Sequence, residues 1–282
     1  LAHWKFDGNA LIILDKAQGP VGHNGVPMPS VGGPVMDSSS AFNTGLNCDG
    51  VDDYVSLDPL LSNSNFLEYT INSWVKLDAF PLNLTEWNDT YGDTVNYTDG
   101  FGNYTGGFGT VFGTVTDGRT WLGVNSDKYF EFRALSGNSS GNISYRTPIT
   151  SHSDEAKLGV WYNLAGTYSE SQDTLKLYVN GTLVSEIEIM PDHVIETSTD
   201  VNYMCRGENE DEYLNGTIDN IALWDRALSS DEIRYVYERP LGFGNHNSLR
   251  IDDGIFSTNP ASNDTDGDGL SDSEEVYFGM DG

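Results

Sequence analysis

Hydrophobic and polar residues alternate with a period of two along most of this chain, the signature of strands whose side chains point to opposite faces of a sheet. Residues 1–7, LAHWKFD, put Trp4 and Phe6 on one face and His3, Lys5 and Asp7 on the other. Residues 69–77, YTINSWVKL, read as a core strand with Ile71 and Trp74 as its large apolar residues. Across residues 110–146 the runs TVFGTV, TWLGVN and YFEFRAL are separated by Asp-Gly and Ser-Asp turn signals, as in a β-meander. WYNLAGTY (161–168) and LKLYVNGTLVSEIEI (175–189) follow, the second folding back at Asn180-Gly181, a pair suited to a two-residue hairpin turn. Residues 216–225 set Ile218, Asn220, Ala222 and Trp224 on one face and Asp219, Ile221, Leu223 and Asp225 on the other. A short helix closes this part, with Ser229 and Ser230 as candidate caps and Asp231 and Glu232 in its first turn.

Two stretches break the alternation. Residues 8–34 have the glycines and prolines of a loop, interrupted by the apolar run 11–14. Residues 80–109 hold four glycosylation sequons, many Gly and Asp residues, and the aromatics Trp87, Tyr91, Tyr97, Phe101 and Tyr104. They read as a long inserted loop, and loops of that length in compact domains are usually functional or disordered. Its aromatics suit stacking on sugar rings, packing against a partner subunit, or covering the sheet beneath.

Beyond Pro240 periodicity fades, and residues 241–262 are a Gly-, Asn- and Ser-rich linker. DTDGDGLSDSEE (264–275) then fits the twelve-residue calcium loop. Asp264, Asp266, Asp268, Asp272 and Glu275 stand at positions 1, 3, 5, 9 and 12, Gly269 at 6, and Leu270 offers its carbonyl at 7. Calcium takes six to eight oxygens, and alternate Asp residues on a tight loop supply them. No long helix precedes this loop, so it is not one half of an EF-hand pair.

Five of these stretches carry a resemblance. W-x-F-D at the start, D-G-x-D-D-Y-V at 49–55 with Cys48 in place of an aromatic, the strand at 69–77, the 161–168 and 175–184 pair, and G-T-I-D-N-I-A-L-W-D-R-A-L-S at 216–229 resemble the laminin-G-like, concanavalin-A-like jelly roll in the right order. The resemblance covers residues 1–240 and implies an all-β fold: a two-sheet antiparallel jelly-roll β-sandwich with the first strand beside the last. Residues 263–282 resemble a thrombospondin type 3-like repeat. The jelly-roll resemblance further implies a second calcium held by Asp7, Asp15, Asn24 and Asp219, although Asn220 stands where the family usually has Glu. Solvated turn residues or backbone caps are the alternative for that set.

Composition narrows the function. A net charge of −29 at pH 7, with 14 basic against 43 acidic residues, excludes nucleic-acid binding and suits divalent cations. No apolar run approaches the ~20 residues of a transmembrane helix. No signal segment opens the chain, which reads as a processed product. Nine sequons, at Asn83, Asn88, Asn96, Asn103, Asn138, Asn142, Asn180, Asn215 and Asn263, favour an exported glycoprotein. Cys48 and Cys205 are either one bridge in an oxidising compartment or two buried thiols.

The β-glucanases that share the sandwich need two carboxylates about 5–5.5 Å apart, set by an E-x-D-x-x-E run. That run is absent. Glu186 with Glu188, and Glu208 with Glu210 and Glu212, read as hydrated acidic edges, and residues 116–121, TDGRTW, as a turn. The expectation is a non-catalytic, calcium-binding, extracellular cell-surface module for adhesion or for glycan or protein recognition. The alternatives are a glycosylated subunit that homopolymerises into a filament or surface layer and, behind it, a glycoside-acting enzyme.

Overall fold

The computed structural model describes residues 2–4, 6, 25–28, 33–38, 44–57, 68–81, 87–88, 94–95, 108–114, 120–138, 145–151, 155–188, 193–195, 201–207 and 212–238. The chain divides into two units, Leu1–Arg239 and Pro240–Gly282. The linker and the calcium-type loop at Asp264 to Glu275 lie outside the described residues, as do Asp7, Asp15, Asn24, Tyr91, Tyr97, Phe101 and Tyr104.

The first strands are β1 (Ala2–Trp4), β2 (Val26–Met28), β3 (Val35–Asp37), β4 (Gly45–Asp49), β5 (Tyr54–Leu57), β6 (Glu68–Leu77), β7 (Trp87–Asn88), β8 (Thr94–Val95) and β9 (Phe108–Thr114). They are followed by β10 (Thr120–Asn125), β11 (Phe130–Asn138), β12 (Tyr145–Thr150), β13 (Trp161–Ser169), β14 (Thr174–Val179), β15 (Thr182–Glu188), β16 (His193–Ile195), β17 (Asn202–Met204), β18 (Asn215–Trp224) and helix α1 (Ser230–Glu238). One sheet runs β15-β14-β13-β6-β18-β4-β3 with β1 added on β18; the other runs β12-β11-β10-β9-β17-β5-β2 with β16 added on β11. Every pairing is antiparallel, and the two sheets make a sandwich. No described helix is long and apolar enough to cross a membrane.

Inward positions of both sheets meet in one core. Trp4, Leu46, Ile71, Val75, Phe112, Leu122, Phe132, Leu164, Leu177 and Ile221 are all fully buried there. Each such side chain contributes roughly 2 kcal/mol through removal of apolar surface from water. The sheets approach closely at Gly166, where a Cβ would fall 2.4 Å from the Phe132 ring. Asn180 and Gly181 form the β14–β15 turn with φ of 50° and 72°, the left-handed pair that such a turn requires.

Several local readings change. In β6 the inward residues are Tyr69, Ile71, Val75 and Leu77, while Trp74 lies on the other face and stacks on Tyr237 of α1 at 5.6 Å. The helix supplies a second apolar surface, so a large residue on the outward face of β6 needs no place in the sandwich core. In β18 the alternation slips by one residue: a bulge between Asp219 and Ala222, with Asn220 at φ 49°, sends Ile218, Ile221 and Leu223 all into the core. The loop expected over 8–34 contains β2, and the loop expected over 80–109 contains the β7–β8 hairpin and ends inside β9. Phe80 packs against the core and Phe108 is buried, so both ends of that stretch belong to the sandwich. The TDGRTW run ends in strand, because Thr120 and Trp121 begin β10 and are buried.

Candidate functional site

The β4–β5 turn brings three carboxylates together at the end of the sandwich. Gly50 adopts φ 79°, and any Cβ there would strike Asn215, whose Nδ2 donates to the Asp49 carbonyl at 2.9 Å. This reversal lets Asp49 Oδ1 accept from the Val51 and Asp52 amides at 2.8 and 3.4 Å, while Asp53 Oδ2 accepts from the Asp49 amide at 3.0 Å. One oxygen from each of Asp49, Asp52 and Asp53 lies within 4.8 Å of the others. Asp49 and Asp52 are exposed, and Val51 between them is 69% exposed. Asp53 is buried, and its Oδ1 is sealed from solvent with no hydrogen-bond partner. Burial first, then the charges of Asp49 and Asp52, push the Asp53 carboxyl up to about 6 against the lowering effect of the Asp49 amide.

These oxygens fit a hard divalent cation: the donor set is all carboxylate, like charges crowd together, and one buried oxygen lacks a donor. Sequence reasoning gave D-G-x-D-D only as part of a resemblance. Its signal as a site was three acids within five residues around a glycine.

Among residues expected to form a jelly-roll calcium site, only Asp219 is described. It is buried in β18 beside the bulge, where Asn220 Oδ1 lies 3.3 Å from His3 Nε2 on β1. Cys48 and Cys205 form a disulfide that joins the two sheets. Two sequon side chains serve the turns in which they stand. Asn180 Oδ1 accepts from the Asn163 amide at 2.9 Å, and Asn215 holds the acidic turn. Asn88 and Asn138 fall in β7 and β11, and Trp87 in β7; Asn83, Asn96, Asn103, Asn142 and Asn263 lie outside the described residues.

The carboxylates weighed for catalysis are dispersed. Glu186 and Glu188 are exposed on β15, where Glu186 pairs with Lys176 at 3.2 Å; Glu208 and Glu210 lie outside the described residues, and Glu212 is half-buried before β18. Among the described residues the most buried carboxylate is Glu131, on the outward face of β11. One of its oxygens pairs with Arg133, and the other accepts from Asn125 Nδ2 at 3.1 Å. Arg133 in turn stacks on Phe108 at 4.0 Å, which makes a packed ionic layer.

The family model described as the concanavalin A-like lectin/glucanases superfamily matches residues 49–234. The mouse (Mus musculus) pentraxin-related protein PTX3 is 36% identical over 86 residues, a match covering 27% of this chain and 23% of the pentraxin. The human (Homo sapiens) protein is 31% identical over 86 residues with the same coverage of 27% and 23%. The match therefore spans less than a quarter of the length of these curated relatives.

Among solved structures, domain 4 of AbnA, a GH43 extracellular arabinanase from Geobacillus stearothermophilus, in complex with arabinotriose, has a TM-score of 0.53 at 17% identity and covers 83% of this chain and 95% of that domain. The receptor binding domain of botulinum neurotoxin D has a TM-score of 0.55 at 14% identity, covering 84% of this chain and 52% of the other. A botulinum neurotoxin type C structure, from work on its two-ganglioside cell entry, has a TM-score of 0.55 at 12% identity, covering 84% and 50%. At such identities the likeness is one of fold.

Proposed function

Because the chain belongs to the concanavalin A-like lectin/glucanases superfamily, we propose that it is an exported, non-catalytic module that recognises a glycan or a protein through a calcium-loaded rim of its sandwich. The observation that carries the reading is the Asp49, Asp52 and Asp53 cluster with its orphaned buried oxygen. These three residues would hold the ion. Calcium there would neutralise the crowded carboxylates and offer its remaining coordination positions to ligand oxygens. Exposed Val51 adds an apolar contact beside them. The arabinotriose complex on a similar fold, and the gangliosides named for the type C toxin, support a sugar as the ligand. The cross-sheet disulfide and the nine sequons support export to an oxidising, extracellular setting. The loop at Asp264 to Glu275 supplies a further calcium site in this reading.

Calorimetric titration of the whole chain with calcium, beside the Asp49→Asn/Asp52→Asn variant, tests it. The variant is expected to bind one ion fewer and to lose calcium-dependent signals on a glycan array. Equal stoichiometry in both proteins would remove the rim site. Array signals that survive chelation would remove the role of calcium.

A further inference from the structure

The acidic turn leaves a second feature of the same chain unused. β17 is followed by Cys205, whose backbone is left-handed at φ 65° and whose sulfur is tied to Cys48. The chain there turns into a short hairpin, with Arg206 bridged to Tyr213 and hydrogen bonds from Gly207 N to Glu212 O at 3.1 Å and from Leu214 N to Cys205 O at 3.0 Å. Val55, Leu57 and Met204 point into the core, so Tyr54 and Tyr203 face outward on adjacent strands. Arg206 is seated among them. Its guanidinium carbon stands 4.9, 5.0 and 5.7 Å from the ring centroids of Tyr54, Tyr203 and Tyr213. Tyr54 and Tyr203 themselves pack edge to face at 5.1 Å.

Ring faces stabilise the cation but accept none of its in-plane N–H bonds. Arg206 makes no side-chain hydrogen bond and no ion pair among the described residues, and its Nε is sealed from solvent without an acceptor. Among the other described cations, Lys76, Arg133, Lys176, Arg226 and Arg234 each pair with a carboxylate, whereas Lys128 and Lys157, which do not, are exposed to solvent. In a chain carrying 43 acidic residues against 14 basic ones, an arginine with no acidic partner among the described residues has donors open to another molecule. Among the described residues the Tyr54 and Tyr203 hydroxyls also have no hydrogen-bond partner.

We propose that Arg206, with Tyr54 and Tyr203, forms a subsite for the carboxylate of an acidic sugar, a uronate or a sialate. A guanidinium fork matches a planar carboxylate with two parallel hydrogen bonds, and the two phenols lie beside it for the hydroxyls of the ring that carries the acid. Three rings, one disulfide and the hairpin fix the fork before ligand arrives, so little ordering cost is left for binding. This subsite rests on the recognition reading above but uses different residues from the cation site.

The test is calorimetric titration of the whole chain with calcium present, using tetragalacturonate, sialyllactose, lactose and a hexaglutamate peptide. Arg206→Gln is expected to weaken the acidic sugar by about tenfold or more, the size of one charge-assisted hydrogen bond, with calcium stoichiometry unchanged. Arg206→Lys, which keeps charge but loses the fork, is expected to fall between. Preference between tetragalacturonate and sialyllactose identifies the source of the carboxylate. Equal acidic-sugar affinity in wild type and Arg206→Gln overturns the subsite. Binding of lactose alone, unchanged by the variant, overturns it too and leaves the recognition module standing. Hexaglutamate bound as tightly as the sugars overturns the sugar assignment, and silence with every probe overturns the subsite while the array decides on other glycans.

Discussion

At the scale of the residue, Asp53 shows how position changes chemistry. It follows Asp52 directly, yet one is exposed and the other is buried, because the pleat that begins at Tyr54 turns Asp53 inward. Its folded-state pKa is raised to about 6 from the ordinary 3.8, so the folded chain holds this proton more tightly than the unfolded one. Its contribution to stability is therefore fully present below 3.8 and is lost as pH rises through about 6. Over that interval the loss is about 3 kcal/mol. Urea unfolding of the metal-free chain between pH 4 and 7 is expected to show this decline, and Asp53→Asn is expected to lack it. Parallel pH profiles for the two proteins would place the shift elsewhere.

At the scale of the element, α1 is held at its entry by a reciprocal box. Ser229 Oγ accepts from the Glu232 amide at 3.3 Å, and Glu232 Oε2 accepts from the Ser229 amide at 2.6 Å. Burial alone would raise the Glu232 carboxyl, but hydrogen bonds and charge from Arg226, 2.7 Å away, together with the Ser229 bonds, hold it below the ordinary glutamate value. A lowered folded pKa gives stability that is present above the unfolded value and lost as pH falls through the folded one. Glu232→Gln is expected to cost about 1–2 kcal/mol at neutral pH, and Ser229→Ala about 1 kcal/mol. The difference between wild type and Glu232→Gln should shrink as pH drops below 4.5, which chemical denaturation at stepped pH reads directly. A difference that stays constant with pH would mean that the carboxylate charge is not what holds the helix entry.

At the scale of the whole molecule, the sandwich is stapled once. Cys48 lies in β4 of one sheet and Cys205 follows β17 in the other, 157 residues apart in sequence. Closing so long a loop restricts the unfolded chain, and Cys48→Ser/Cys205→Ser is expected to lose about 3–5 kcal/mol in urea unfolding. An unchanged midpoint would show that the bridge adds nothing to this fold. The staple also joins the two candidate sites, since Asp49 follows Cys48 and Arg206 follows Cys205. An acid-rich rim and an arginine cradle are thus set by the same covalent link.

What the chain states locally was legible without coordinates. Period-two alternation named the strands, Asn180-Gly181 named a tight hairpin turn, and Ser229 and Ser230 ahead of Asp231 and Glu232 named a helix entry. Each is a property of a few neighbouring residues and of backbone sterics. The jelly-roll resemblance supplied the order of strands and put the first beside the last, as the β1–β18 pairing has it. Tertiary structure alone decided the rest. Trp74 left the core because α1 offered it Tyr237. The phase of β18 slipped because one sheet position had to absorb Asn220. Asp53 became a buried acid, and Arg206 met Tyr54 across some 150 residues of sequence, because strands distant in the chain are adjacent in the second sheet. No local pattern encodes such a meeting; it arises only when two apolar faces close on each other and fix what lies on their outer surfaces.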